Sequence, residues 1–188
     1  GATNCVLLTC QSNRFLDNSS NAFAITVNGT PSVQAFSPFA PTIAYDSSVV
    51  GGSGYFNGST DYLQVPSNAA FNLGTGDFTV EAWIYSNGVN SWENIISTGT
   101  NTDGTGNGWK LGRYSTTTQL AFSIRNGTDY TNYASPSAAT WPLNTWNHIA
   151  ACRIAGTVTF YFNGVSLGTA AASSSANTLS GVTVGCRW

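Results

Sequence analysis

Glu81 is the acidic residue whose surroundings most suggest chemistry, in the stretch GTGDFTVEAWIYSNG (residues 74–88). Turn residues flank this stretch, and the side chains between them alternate as in a β-strand. One face of the strand is apolar: Phe78, Val80, Ala82 and Ile84. The other face combines a carboxylate, two aromatic rings and a hydroxyl: Thr79, Glu81, Trp83 and Tyr85. Such a face could perform acid–base catalysis or bind a sugar.

Hydrolysis of a glycosidic bond usually requires two carboxyl groups about 5–9.5 Å apart. Glu81 has no second acid on its own face, and nothing in the sequence places Glu93, in another element, near it. We expect Glu81 to form a hydrogen bond or an ion pair with a basic residue such as Arg125 or Arg153. The sequence therefore predicts no catalytic residues and no enzyme activity, with polysaccharide hydrolysis as the second alternative.

The sequence also predicts neither a catalytic nucleophile nor a zinc site. His148 is the only histidine, and the Gly-x-Ser-x-Gly elbow of many hydrolases is absent. We expect His148 to be a hydrogen-bonded packing residue. The chain has four cysteines: Cys5, Cys10, Cys152 and Cys186. They form no close pair, so structural zinc is not expected, and buried free thiols are favoured over the two disulfides that are arithmetically possible.

Calcium is the other metal for which the sequence offers candidate ligands. Residues 98–108 offer oxygen ligands from Asn101, Asp103 and Asn107. They lack the spacing and the terminal glutamate of a helix–loop–helix calcium site. Asp61 and Asp77 also lie in glycine-rich turns, where such side chains commonly cap the turn. The sequence therefore predicts no metal site.

Aromatic and neutral polar side chains are the main candidates for a binding function. A sugar ring packs its C–H groups on aromatic rings, and its hydroxyls need neutral donors and acceptors. The predicted carbohydrate-binding residues are Trp83, Tyr85, Tyr161, Trp92 and Trp109. Further candidates lie in or beside loops: Tyr114, Tyr130 and Tyr133. The alternative for each is a packing role at the rim of the core or in a subunit contact.

Composition limits the classes of partner. The 188 residues suffice for one domain, and 41% are hydrophobic whereas only 7% are charged. The surface must therefore be polar and neutral. The six basic residues form no run or stripe, which argues against nucleic acid. No apolar run approaches the ~18 residues that span a bilayer. A start at Gly1 without a signal-like region suggests a processed piece of a longer chain.

The elements that must position these residues are strands. Helical periodicity is nearly absent. Asn-Gly pairs predict turns between short alternating runs at residues 28–29, 57–58, 87–88, 107–108, 126–127 and 163–164. The clearest predicted strands are 62–65, 78–85, 119–125, 146–154, 158–162 and, after Asn163-Gly164, 165–167. Residues 21–50, with three prolines, are expected to be loop-rich or an edge strand. Two facing antiparallel sheets would leave Trp83, Tyr85 and Tyr161 outside, on a concave wall if one sheet is curved.

Four segments resemble the laminin G-like jelly roll of the concanavalin A-like lectin/glucanase superfamily. They are FNGSTDYLQVP (56–66), FNLGTGDFTVEAW (71–83), WNHIA (146–150) and VTFYFNGVSLG (158–168). The resemblance implies one all-β, antiparallel two-sheet sandwich over residues 1–188. Some members of the superfamily bind calcium in loops, which keeps calcium as an alternative cofactor. The family usually continues past the strand at residues 183–188, so we expect either that the chain is a fragment or that a neighbouring chain completes an unpaired edge.

Residues 7–20, LLTCQSNRFLDNSS, are similar to the entry strand of such domains in phage virion proteins. The resemblance implies a non-enzymatic module at the virion surface, outside the cell, that attaches to carbohydrate or to a cell surface within a fibre or decoration protein. Its partners would be other virion subunits, in a homo-oligomer, and a host glycan, with no nucleic acid and no membrane. The first alternative is a purely structural capsid, tail or filament subunit.

Overall fold

The computed structural model describes residues 4–11, 14–39, 52–88, 93–98, 107–114, 119–127, 129–136, 139, 141–177 and 180–185. Strands dominate these ranges, with one 3₁₀ turn at Ala69–Phe71. None of their helical residues forms a helix with the length and apolarity needed to cross a membrane. The strands are β1 (Thr26–Asn28), β2 (Ser32–Gln34), β3 (Ser53–Tyr55), β4 (Tyr62–Val65), β5 (Phe78–Tyr85), β6 (Glu93–Thr98), β7 (Asn107–Tyr114), β8 (Gln119–Asn126), β9 (Asp129–Ala134), β10 (Trp146–Ile154), β11 (Thr157–Phe162), β12 (Val165–Ala171) and β13 (Val182–Val184).

These strands form two main sheets and a separate ribbon. The larger sheet has seven strands in the order β1-β4-β13-β6-β7-β8-β9, and the smaller has four in the order β12-β11-β10-β5. The ribbon pairs β2 with β3. Neighbouring strands are antiparallel throughout the described pairings. The predicted all-β, antiparallel two-sheet sandwich is therefore confirmed.

The core lies between the inward faces of the two sheets. Along β11, Val158, Phe160 and Phe162 are buried, whereas the residues between them are exposed or half-buried. On β5, Phe78 packs against Phe122 of β8 with ring centroids 4.6 Å apart, so the two layers meet directly. Burial of one such side chain contributes about 1.5–3 kcal/mol. The alternation predicted for both strands is confirmed.

Arg153 is a fully buried cation on the inward side of β10. Its guanidinium donates to four backbone carbonyls at 2.6–3.2 Å: those of Leu73, Gly74, Gly76 and Ser174. The ring of Phe78 lies beneath it at 4.7 Å. Burial lowers the pKa of Arg153, and the charge of Asp77 opposes this effect. The side chain thus ties β10 to the turn that leads into β5.

The Asn-Gly pairs behave differently from one another. Asn163 and Gly164 have φ values of 48° and 78°, and they form the predicted two-residue hairpin between β11 and β12. At Gly29, Gly58 and Gly127, only the glycine of the pair has a positive φ. The turn prediction is wrong at residues 107–108, because this pair begins β7 and is hydrogen-bonded into the sheet.

The last described strand corrects a second prediction. β13 is not an unpaired edge, since it pairs with β4 on one side and with β6 on the other. The described part of residues 183–188 therefore needs no strand from a neighbouring chain. Within residues 21–50, β1 lies at an edge of the seven-stranded sheet and β2 lies in the ribbon, in agreement with the predicted loop-rich or edge character.

Candidate functional site

The outward face of the four-stranded sheet combines side chains from β5 and β10. The register pairs them across the face: Trp83 with His148, Tyr85 with Trp146, and Glu81 with Ala150. Directly opposite residues of antiparallel strands share a face, with Cβ atoms about 4.5–5.5 Å apart. The predicted outward face of β5 therefore gains two further rings from β10.

Six rings on this face, here called the aromatic patch, lie in two groups of three. Phe36, Tyr85 and Trp146 form one group, and Phe39, Trp83 and His148 form the other. Phe36 stacks on Trp146 with centroids 5.1 Å apart and meets Tyr85 edge-on at 4.6 Å. Phe39 meets Trp83 at 5.4 Å, and Trp83 lies 5.1 Å from the ring of His148. Separations of about 4.5–7 Å are favourable between aromatic rings, so each ring restrains its neighbours.

The aromatic patch is exposed and borders a cavity of about 1320 Å³. Phe36, Phe39, Trp83 and Tyr85 remain 39–63% exposed. The end of β5, the start of β6 and segments 7–11, 32–39 and 52–58 contribute to the lining. Large exposed apolar groups beside a recess commonly mark a binding site. The cavity offers room for an extended ligand.

Glu81 and His148 supply the polar side of this face. Nε2 of His148 lies 3.4 Å from Oε2 of Glu81, whose side chain is 61% exposed. Glu81 therefore pairs with a basic residue, as predicted, but neither of the two suggested arginines is that partner. Arg125 lies on β8 in the opposite sheet, and Arg153 points into the core. An exposed ion pair contributes only about 0–1 kcal/mol to stability. The Glu81 carboxylate therefore remains available to a ligand.

Asn163 fixes the start of β10, from which two rings of the patch project. Its Oδ1 accepts a hydrogen bond from the backbone N–H of His148 at 2.7 Å, and its Nδ2 donates to Oδ1 of Asn147 at 3.1 Å. Asn147 is buried and donates in turn to the carbonyl of Pro142 at 3.1 Å. These bonds restrain the backbone between Trp146 and His148. The hairpin turn thus helps to orient the site.

The predicted carbohydrate-binding residues do not all meet at this cavity. Trp83 and Tyr85 line it and are exposed. Tyr161 shares their outward face, where it lies opposite Ala150, but it does not line the cavity. Trp92 lies outside the described residues. Of the four predicted residues that the structure describes, it therefore brings two together.

Trp109 requires a correction. Its side chain is only 5% exposed, and its Nε1 donates to the carbonyl of Phe71 at 2.9 Å inside the core. The reason is that Trp109 falls on the inward row of β7, so it cannot face a ligand. Tyr133 is also buried. The side chains of Tyr114 and Tyr130 lie outside the described part of the structure.

Glu93 lines the same cavity as Glu81, although nothing in the sequence placed the two near each other. Its Oε1 lies 3.3 Å from Nη2 of Arg113, whose side chain is almost completely buried. Arg113 therefore holds Glu93 at the start of β6. Among the described residues, the cavity lining includes two carboxylates, each with its own basic partner.

The remaining acids of the described turns have backbone partners. Buried Asp61 accepts a hydrogen bond from the N–H of Thr30 at 2.8 Å, and Asp77 accepts one from the N–H of Ala155 at 2.9 Å. Asp61 also accepts a hydrogen bond from the N–H of Asn57 within its own turn, as predicted, whereas the bond of Asp77 reaches the turn between β10 and β11. Among the described residues, no three acidic, histidine or cysteine side chains are grouped to hold a metal ion. Residues 99–106 lie outside the described ranges, so the calcium alternative there stays a prediction.

The described cysteines are free, as predicted, but they are half-buried rather than buried: Cys5, Cys10 and Cys152. Burial raises the pKa of the Cys10 thiol to about 11. A thiol with so high a pKa is almost entirely protonated near neutral pH and is a poor nucleophile. Cys186 lies outside the described residues.

The sequence did not single out four members of the aromatic patch as site residues. Trp146 and His148 alternate in Trp-Asn-His, so a correct pairing of β10 with β5 would have placed them beside Trp83. Phe36 and Phe39 come from a proline-containing segment without periodicity, and no sequence signal links them to the sheet. Nε1 of Trp146 is buried with no acceptor among the described residues.

The chain is similar to known proteins at two levels. A family model described as the concanavalin A-like lectin/glucanases superfamily matches residues 57–187. Curated proteins offer no match to this sequence.

Solved structures are similar to this chain to different degrees. Domain 4 of AbnA, a GH43 extracellular arabinanase from Geobacillus stearothermophilus solved with arabinotriose, is 15% identical with a TM-score of 0.66, over 92% of this chain and 78% of that chain. The carbohydrate binding module CBM66 from Bacillus subtilis is 14% identical with a TM-score of 0.48, over 95% of this chain and 91% of that chain. Domains LG4-5 of the mouse laminin α1 chain are 14% identical with a TM-score of 0.45, over 61% of this chain and 29% of that chain.

Proposed function

This chain belongs to the concanavalin A-like lectin/glucanase superfamily, and we propose that it is a carbohydrate-binding module without enzyme activity. One observation carries the proposal. The exposed rings of Trp83 and Tyr85 border a single cavity together with the polar side chains of Glu81 and His148. This combination suits a sugar, which presents C–H faces to aromatic rings and hydroxyls to acceptors and donors.

The arrangement of the rings supports an oligosaccharide rather than a single sugar. Trp83 and Tyr85 are alternate residues of one strand, so their Cα atoms lie about 7 Å apart. A chain of sugars along β5 would meet first one ring and then the other. Their contacts with Phe39 and Phe36 hold both rings in place before a ligand arrives. Such preorganisation reduces the entropic cost of binding.

The test is a binding titration with neutral, amino and acidic oligosaccharides, including arabinotriose because AbnA domain 4 was solved with it. We expect Trp83→Ala to weaken binding by about tenfold or more, since removal of an aromatic anchor commonly costs at least ~1–2 kcal/mol. Tyr85→Ala should act in the same direction. Ile154→Ala is the matched control, because Ile154 is exposed on the same sheet but does not line the cavity.

The proposal fails if the wild-type chain binds none of these oligosaccharides. It also fails if Trp83→Ala and Ile154→Ala bind equally well. Far-ultraviolet circular dichroism of each variant separates a lost contact from a lost fold.

Hydrolysis is the rival activity, because Glu81 and Glu93 line one cavity. Release of reducing ends from a polysaccharide panel measures it directly. We expect no release by the wild-type chain. Turnover that disappears in both Glu81→Gln and Glu93→Gln would contradict a non-enzymatic module.

We extend the proposal to an extracellular module of a virion fibre or decoration protein that acts as a homo-oligomer. Its support is the similarity of residues 7–20 to entry strands of phage virion domains. Light scattering after size exclusion measures the oligomeric state. A purely structural subunit would instead assemble through the aromatic patch, so Trp83→Ala would disrupt assembly while glycan binding is absent from the wild type.

A further inference from the structure

We infer that Glu81 makes the cavity selective for glycans that carry a cationic amino group over glycans that carry acidic groups. This inference rests on the proposed carbohydrate-binding function and names the class of ligand. Its geometric basis is the position of Glu81 beside Trp83 on the outward face of β5, at the edge of the aromatic patch.

The charges around the cavity are the first argument. The chain has six basic residues, and the structure describes five of them: Arg14, Lys110, Arg113, Arg125 and Arg153. Not one of these five lines the cavity. Its lining instead includes the carboxylates of Glu81 and Glu93. Arg113 already pairs with Glu93, so Glu81 is the carboxylate that a bound cation can approach.

The exposure of Glu81 is the second argument. Its side chain is 61% exposed, and the interaction found for it is the contact of Oε2 with His148 at 3.4 Å. The negative charge of an exposed carboxylate attracts a primary or a quaternary ammonium group, whereas a sulfate or a carboxylate at the same place would be repelled.

The neighbouring ring is the third argument. Trp83 follows Glu81 by two residues on the same face and is 43% exposed. Indole is the aromatic ring that attracts cations best through its face. An ammonium group placed between the carboxylate and the ring would gain from both. Neutral glycans keep their contacts with the rings and their hydrogen bonds, but they are neither attracted nor repelled by the charge of Glu81. We therefore expect them to bind with intermediate affinity.

The experiment uses oligosaccharides that differ only at the nitrogen on C2 of glucosamine and galactosamine backbones. The group at C2 is trimethylammonium, acetamide or sulfamate. These groups are cationic, neutral and anionic, respectively, at every working pH. Binding is measured at about pH 8, above the range in which imidazole side chains ordinarily carry charge. We expect the cationic member to bind the wild type about fivefold to tenfold more tightly than the neutral one, and the anionic member to bind most weakly.

Three variants separate the causes. Glu81→Gln should remove the preference for the cation while keeping affinity for the neutral member. Glu81→Lys should reverse the order. Trp83→Ala should weaken the binding of all three oligosaccharides, because it removes the ring on which they pack and keeps the charge of Glu81.

The outcomes distinguish this inference from the function on which it rests. If no glycan of any class binds, the proposed function fails, and the inference fails with it. If glycans without amino groups bind while the whole series does not, the inference alone is overturned. Equal affinity for the three members, or a preference that survives in Glu81→Gln, also overturns it.

Discussion

At the scale of single residues, Asp17 shows how one carboxylate organises a segment without secondary structure. Its oxygens accept hydrogen bonds at 2.9–3.0 Å from the backbone N–H groups of Leu8, Ser19 and Phe23, and from the hydroxyl of Ser19. Burial by itself raises the pKa of Asp17, but these four hydrogen bonds together lower it below its usual range. The N-terminal segment, part of which lines the cavity, is thus held by an ionised side chain.

We expect Asp17→Asn to lower the free energy of unfolding near pH 7 by about 2 kcal/mol, because an amide cannot accept all four bonds. The pH dependence has a definite sign. The pKa of Asp17 is lower in the folded state than in the unfolded chain. The stabilisation is therefore complete above the pKa of Asp17 in the unfolded chain, and it is lost as pH falls through the pKa of Asp17 in the folded state. Urea unfolding at several pH values should therefore show the wild type approaching the variant below about pH 4.

Ser19→Ala is the graded control for this prediction, because it removes one donor to Asp17 and keeps the carboxylate. It should cost less than Asp17→Asn and preserve the pH dependence. A gap between wild type and Asp17→Asn that stays constant with pH would contradict the role assigned to the charge.

At the scale of elements, the pairing of β6 with β7 positions one wall of the cavity. The register shifts between Asn94 and Ile96, which leaves an extra residue on β6. Gly112 of β7 lies opposite Asn94, and a Cβ added there would overlap the carbonyl oxygen of Glu93. The close approach of the two backbones therefore requires glycine at this position.

We expect Gly112→Ala to lower the free energy of unfolding by about 3 kcal/mol, the upper end of overpacking costs, because backbone rather than a flexible side chain must move. Denaturant unfolding measures the change. Gly88→Ala is the matched control, since a Cβ there meets no atom within 4 Å and its φ is not in the left-handed region. It should change stability by no more than about 0.5 kcal/mol. Equal effects of both substitutions would refute the steric argument.

At the scale of the whole molecule, two layers face each other, and β5 and β11 each have an inner and an outer side. Phe160 and Tyr161 are neighbours on β11 and test this directly. Phe160 is fully buried between the sheets, whereas Tyr161 lies on the outward face and is half-buried. The same strand therefore contributes to the core with one residue and to the surface with the next.

We expect Phe160→Ala to cost about 3–5 kcal/mol, because it removes a ring from a close-packed core and leaves a cavity. Tyr161→Ala should cost about 1 kcal/mol or less. Thermal or urea unfolding of the two variants provides the comparison. Similar losses at the two positions would contradict a sandwich with one buried layer.

The sequence by itself determined the class of fold, because its information is local. Alternation along 78–85 and 158–162 requires only that successive side chains point to opposite sides of a strand. The turn at Asn163-Gly164 requires only residues that tolerate positive φ. Both predictions are confirmed, as is the outward position of Trp83 and Tyr85. The same local rules failed at residues 107–108, where sheet pairing overrides a turn propensity.

Only the tertiary structure decided which residues share the candidate site. Phe36 and Phe39 contact the sheet from a segment more than forty residues before Trp83. No periodicity in the sequence predicts the loop geometry that places them there. Strand register selected His148, rather than an arginine, as the neighbour of Glu81. Trp109 became a core residue because its position on β7 faces inward. The local sequence alone did not distinguish these faces and partners. Long-range strand pairing determined them.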